Sequence, residues 1–300
     1  MGAQLRVYKQ KIASAQTTKK ITKAMELIAA SRIQKALTRV HSATPFADAV
    51  TRAVAAVATY SNVDHTLTRE PAEIRRSAIV IFSSDRGLAG AFNSQIIREG
   101  LELAELVRRQ GREPVFYLVG RKAVGYFQFR HVTPAAQWTG DTDTPHFETA
   151  EAIGARVIDD FVRGSAQGGV DEIHLVYNSF VSMMTQAPQT VRLLPIDVIE
   201  AYEAVPPSTT VYPLYEFEPD GTEVLDELLP VYVHSRIFHA LLQSAAAKHA
   251  ATQKAMKSAS DNADKLITDY TRLRNNARQA EITQQIAEIV GGADALASGK

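Results

Sequence analysis

The chain has 300 residues, 45% of them hydrophobic and 22% charged, proportions typical of an ordered globular protein. Its 33 basic and 33 acidic residues cancel, so no net field draws the whole chain to nucleic acid or an anionic membrane, and the absence of cysteine excludes disulfides, thiolate nucleophiles and cysteine-bound zinc. No apolar run before Tyr8 forms a secretory leader, none approaches the ~18 residues of a membrane span, and Arg6 stands where a myristoylation motif opening on Met1-Gly2 wants Ser or Thr. A protein without direct membrane insertion is expected.

In chain order, no glycine stands between Gly2 and Gly87, and Leu5, Ile12, Ile21, Met25, Ile28, Ile33, Leu37 and Val40 keep helical spacing. This predicts an N-terminal helix over residues 1–60, kinked at Pro45. Its first 40 residues carry nine Lys or Arg against the single acid Glu26, which makes it a basic helix. A polar linker, 61–75, follows. At Ala78-Ile79-Val80-Ile81-Phe82 the pattern changes to an uninterrupted apolar run, the mark of a strand buried on both faces. Ser83 to Gly87 reads as a turn, Asn93 as the cap of a helix reaching about Gln110, Pro114–Val119 as a second buried strand, and Lys122–Phe129 as a short helix. Val132 onward is a weaker strand or loop. Phe147–Val162 is helical by period, Gly164–Gly169 a loop, Asp171–Phe180 another strand, and Gln189–Ile196 the segment after it. Strands alternating with helices over 76–204 predict a doubly wound, Rossmann-like α/β domain, with room for an antiparallel edge.

A connector, 205–220, rich in proline and aromatics, leads to a C-terminal helical segment, 221–300. From Thr222 to Val290 it has no glycine and only Pro230, which places the start of the regular helix near Leu229 and its end at Gly291-Gly292. At 1.5 Å per residue such a helix is roughly 100 Å long. Leu225, Leu229, Val233, Ile237, Leu241 and Ala245, then Met256, Ala259, Ala263, Leu266, Tyr270 and Leu273, and last Ile282, Ile286 and Ile289 form a seam of coiled-coil spacing. One stripe implies one partner helix, and the N-terminal helix supplies it. The expected fold is α/β: a long antiparallel coiled coil of the two end helices, with the Rossmann-like domain inserted between them.

Chemistry is sparse. Neither G-x-x-x-x-G-K-[ST] nor G-x-G-x-x-G occurs; the loop after the first strand keeps only Gly87-x-x-Gly90, which reads better as a tight turn presenting a protein contact than as a phosphate cradle. His234 and His239 are five apart, off the i, i+4 spacing of a metal pair, and Ser83 and Ser84 lack a nucleophile elbow. No catalytic, metal or cofactor residue is assigned. The Lys9, Lys11, Lys19, Lys20, Lys23 and Arg32 face is basic but lacks interleaved aromatics, so it is read as solvated or as facing an acidic protein rather than nucleic acid.

The run Arg278-Gln279-Ala280-Glu281-Ile282-Thr283-Gln284-Gln285-Ile286-Ala287-Glu288-Ile289-Val290-Gly291-Gly292-Ala293 closely resembles the signature of the gamma subunits of F-type ATP synthases. Three further stretches match in order: Lys20 to Ser31 (KITKAMELIAAS), Ser84 to Asn93 (SDRGLAGAFN) and Met256 to Ala263 (MKSASDNA). Four motifs span nearly the whole chain.

The resemblance implies a central rotor shaft with no active site and no cofactor, at the cytoplasmic face of the bacterial plasma membrane. It would couple the membrane c-ring to the catalytic hexamer of alpha and beta subunits, with the epsilon subunit at its foot. It further implies hexamer contacts at Lys23 and Met25, at Asp85, Arg86 and Gly87, and at Arg278, Gln279, Thr283 and Gln285, with Tyr215, Phe217 and Glu218 touching c-ring and epsilon. The chain departs from the family pattern at Gln285, where a glutamate is usual, and at Ala89, where a cysteine is common. Two other readings stand beside this one: a nucleotide-binding α/β module with helical arms, and a coiled-coil scaffold that self-associates.

Overall fold

The computed structural model describes residues 2–60, 67–68, 71, 73–196 and 220–297. The first element, α1 (Gly2–Tyr60), runs through Pro45 as one helix. A proline removes one N–H from the ladder and leaves the remaining bonds in place. The α/β segment follows as β1 (Arg76–Phe82), α2 (Phe92–Arg109), β2 (Glu113–Val119), α3 (Arg121–Phe129), β3 (Ala136–Trp138), α4 (Phe147–Arg163), β4 (Glu172–Phe180) and β5 (Gln186–Leu194). The final helix, α5, spans Gly221–Ala297.

Two sequence expectations for α5 are corrected. It does not begin near Leu229: the Asp220 carboxylate accepts the Glu223 N–H at 3.0 Å, and fully buried Leu225 and Leu229 anchor the early turns on either side of Pro230. Nor does it stop at Gly291-Gly292. A glycine inside a helix costs only about 1 kcal/mol relative to alanine, and helix formers follow it here.

The residues fall into two compact units, 29–252 and the pair 1–28 with 253–300. In the first unit, the body, the five strands lie in the order β3-β2-β1-β4-β5. β1 pairs in parallel with both β2 and β4, β2 with β3, and β5 closes the edge antiparallel to β4. Because side chains alternate along a strand, β1 feeds two cores. Ala78, Val80 and Phe82 join Ile153 and Val157 of α4, Leu225 to Leu241 of α5, and Val54 and Val57 of α1. Ile79 and Ile81 join Ile96, Ile97 and Ala104 of α2 and Ala123 and Phe127 of α3. Gly100 sets the spacing of that second layer, since a Cβ there would lie 2.5 Å from Ile81 Cδ1. Asn93 is not the cap of α2: it lies inside the helix, and its Oδ1 accepts from the Ser84 N–H at 2.9 Å, tying the loop after β1 to the helix start.

In the second unit, Lys19 Nζ meets Asp264 at 2.6 Å and Lys11 Nζ sits 5.2 Å from the centre of the Tyr270 ring. Rising numbers on α1 meet falling numbers on α5, so the pair is antiparallel. The covered positions of α1 here are Leu5, Tyr8, Ile12, Ala15, Lys19, Thr22, Met25 and Glu26, steps of three and four up to Thr22, after which Met25 and Glu26 are both half-covered. That register corrects the sequence seam. Ile21 and Ile28 are 55% and 53% exposed and Thr22 takes the interface. On α5, Leu266 and Leu273 are exposed while Ile267, Tyr270, Arg274 and Ala277 are half-covered. The seam holds small residues such as Ala15, Ala263 and Ser260, which let two backbones approach closely, so the larger neighbours turn outward.

Candidate interaction surfaces

The first surface is the loop after β1. Ser83 is buried, its Oγ donating to Val119 O at 2.8 Å and accepting the Ala123 N–H at 2.9 Å, which pins the strand end to the start of α3. The Asp85 carboxylate accepts from Thr142 Oγ1 at 2.8 Å and from the N–H groups of Gly140 at 2.9 Å, Arg121 at 3.1 Å and Thr142 at 3.2 Å. Burial alone would raise its pKa, but the bonds from Thr142, Gly140 and Arg121 outweigh it and hold the group below the usual carboxylate value. Asp85 therefore braces the loop from inside. What the loop offers outward is Arg86, which is exposed, and Leu88, 63% exposed at φ 63°. Gly87 lies beside the Lys122 side chain. Ala89 and Phe92 turn back onto Ala247 and Ala251 of α5.

The second surface is on α1. Lys23 is exposed and ion-paired with Glu26 at 3.0 Å, and Met25 is half-buried. Ile21, Leu27 and Ile28, 55%, 62% and 53% exposed, flank half-buried Met25 and form an apolar patch that α5 leaves open.

The third is the end of α5. Arg278, Gln279, Thr283 and Gln285 are all exposed, and so are Ile282, Ile286, Ile289 and Val290, at 45%, 56%, 72% and 53%. Ile282, Ile286 and Ile289 recur every three to four residues, a ready-made strip for a partner. Tyr215, Phe217 and Glu218 lie outside the described residues. His234 and His239 are both partly buried on α5, and burial lowers the pKa of each; they form no metal cluster with other described residues. Leu88 and the Ile21–Ile28 patch are surface features that the motifs alone do not reveal; for the patch, the signal is an apolar residue one position off the seam.

The family model described as ATP synthase matches residues 4–296, and the gamma chain of Leifsonia xyli is 68% identical over 298 residues, covering 99% of both chains. The chain belongs to the family of F-type ATP synthase gamma subunits. The gamma chain of Clavibacter sepedonicus is 67% identical over the full length of both chains. Among solved structures, the chain resembles a subunit in the central stalk and c-ring structure of the Tetrahymena thermophila mitochondrial ATP synthase, 25% identical at a TM-score of 0.58, covering 80% of this chain and 99% of that one. It shares its fold with a rotor chain of the Euglena gracilis enzyme, 15% identical at a TM-score of 0.66, covering 94% of this chain and all of that one. A gamma subunit is a central-stalk part of a rotary motor. Among the described residues no helix is long and apolar enough to cross a membrane.

Proposed function

We propose that the chain is the torque-transmitting shaft between the membrane c-ring and the catalytic hexamer of alpha and beta subunits. It contributes no catalytic group of its own, and it works with the epsilon subunit at the cytoplasmic face of the bacterial plasma membrane. The observation that carries this reading is the exposed apolar end of α5. A helix of this length leaves Ile282, Ile286, Ile289 and Val290 without cover from the other described residues, which is costly in water at about 25 cal/mol per Å2 of apolar surface. A surrounding sleeve relieves it.

In this reading Arg278, Gln279, Thr283 and Gln285 meet the hexamer at that end, Lys23 and Met25 meet it along α1, and Arg86 with Gly87 meets it from the loop that Asp85 braces. Tyr215, Phe217 and Glu218 serve the ring side. Long-range attraction from the exposed basic groups of α1 suits a bearing, because it does not lock one rotary position. The test is a reconstituted complex in proteoliposomes whose gamma chain ends after Arg278. Proton-driven ATP synthesis falls at least tenfold while alpha and beta still co-purify; full synthesis by the truncated complex overturns the reading.

A further inference from the structure

A cavity of about 650 Å3 opens on the body between α1, the loops after β1 and β3, and α5. Its lining is cationic. Arg32, Lys35 and Arg39 reach it from one face of α1, at i, i+3 and i+7, and Arg86 reaches it from the loop after β1. Two carboxylates also border it, and both are already engaged. Asp85 is turned into its own loop by its bonds to Thr142, Gly140 and Arg121. Asp143 accepts from Lys248 Nζ at 2.6 Å, with Arg32 further off at 3.6 Å. The Lys248 side chain is only 6% exposed and, from behind the lining, engages the Asp143 carboxylate. Among the described residues, Lys35, Arg39 and Arg86 have no ion-pair partner.

Like charges gathered around one concave space repel unless an anion joins them, and guanidinium forks match phosphate oxygens in pairs. The apolar lining is small, Ala36, Pro145, Leu242 and Ala245; its one aromatic ring, His249, is 3% exposed with Nε2 held at 3.0 Å from Asp143 O, so it offers no open face to stack a base. We propose that this cavity is a binding site for a condensed phosphate chain, read through its phosphates alone, with Lys35, Arg39 and Arg86 as principal ligands and Arg32 in support. This site shares Arg86 with the proposed hexamer contact but none of the residues at the end of α5 that carry the torque reading, and titration of the isolated chain tests it separately.

The test is calorimetric titration of the full-length chain with pyrophosphate, and separately with ADP. Pyrophosphate binds the wild-type chain, and the double substitution Lys35→Gln with Arg39→Gln weakens it at least tenfold, while Lys9→Gln with Lys20→Gln, exposed lysines elsewhere on α1, changes it less than twofold. Both replaced pocket residues are exposed and unpaired, so the melting temperature stays unchanged, and Lys35→Arg keeps the affinity. ADP binds within about threefold of pyrophosphate. Absence of pyrophosphate binding, equal weakening by the control pair, or binding of ADP without pyrophosphate overturns the proposal.

Discussion

The body and the helix ends use the same kind of residue in opposite ways. In the body, Leu225, Leu229, Val233 and Ile237 of α5 are completely buried against the sheet and α4. In the second unit, later turns of the same helix leave Leu266, Leu273, Ile282, Ile286 and Ile289 between 38% and 72% exposed. The helical spacing of the apolar residues is alike in both. What differs is how much protein surrounds each stretch. A sheet and several helices can enclose a broad stripe, whereas one partner helix covers only a narrow seam. The body buries its apolar stripe within its own elements; the ends leave theirs exposed.

The widest separation between the two regions comes from truncating matched isoleucines. Ile237→Ala, at a site with no exposure, destabilises the full-length chain by about 2–5 kcal/mol in urea unfolding. Ile289→Ala, at 72% exposure, stays within about 0.5 kcal/mol. Equal losses at the two positions would erase the contrast. Gly100→Ala comes next: the added methyl meets Ile81 Cδ1 at 2.5 Å and Cγ1 at 2.9 Å, and overpacking of this kind costs about 1–3 kcal/mol, seen as a lower melting temperature.

Asp85 gives a pH-dependent effect confined to the body. Its folded pKa lies below the unfolded value, so its contribution is complete above the unfolded carboxylate pKa and is lost as pH falls through the folded one. Asp85→Asn therefore lowers stability at pH 7 and flattens the acid limb below about pH 4; an unchanged acid limb would show that the carboxylate does not brace the loop. The smallest effect is Gln285→Glu on the exposed end of α5. Glu281 and Glu288 lie four residues before and three after it, so like-charge repulsion costs only about 0.2–0.5 kcal/mol, and ATP synthesis by the assembled complex is expected to be preserved. A large drop in synthesis with assembly intact would show that a neutral side chain is required there.

Much of the fold is legible in the sequence because burial writes itself as composition. Ala78 to Phe82 reads as a strand covered on both faces, and the long stretches of helical spacing at either end read as long helices. Details that depend on competition between neighbours are not legible. Thr22 displaces Ile21 from the seam because the register is set by the whole helix pair. Gly291 and Gly292 fail to stop α5 because a helix end needs a favourable alternative conformation as well as a weak former. For the interaction surfaces, the motifs indicate the loop after β1 but not which of its side chains point outward. Asp85 and Arg86 are adjacent in sequence, yet only the four bonds that fold Asp85 inward separate brace from contact.

The central claim is that the chain turns within its assembly. With no native cysteine, Gln110→Cys at the exposed end of α2 gives a unique attachment point for a bead on the isolated catalytic complex, held by its hexamer. Unidirectional rotation of the bead during ATP hydrolysis is the predicted result. A stationary bead on a complex that hydrolyses ATP at its normal rate would contradict the account.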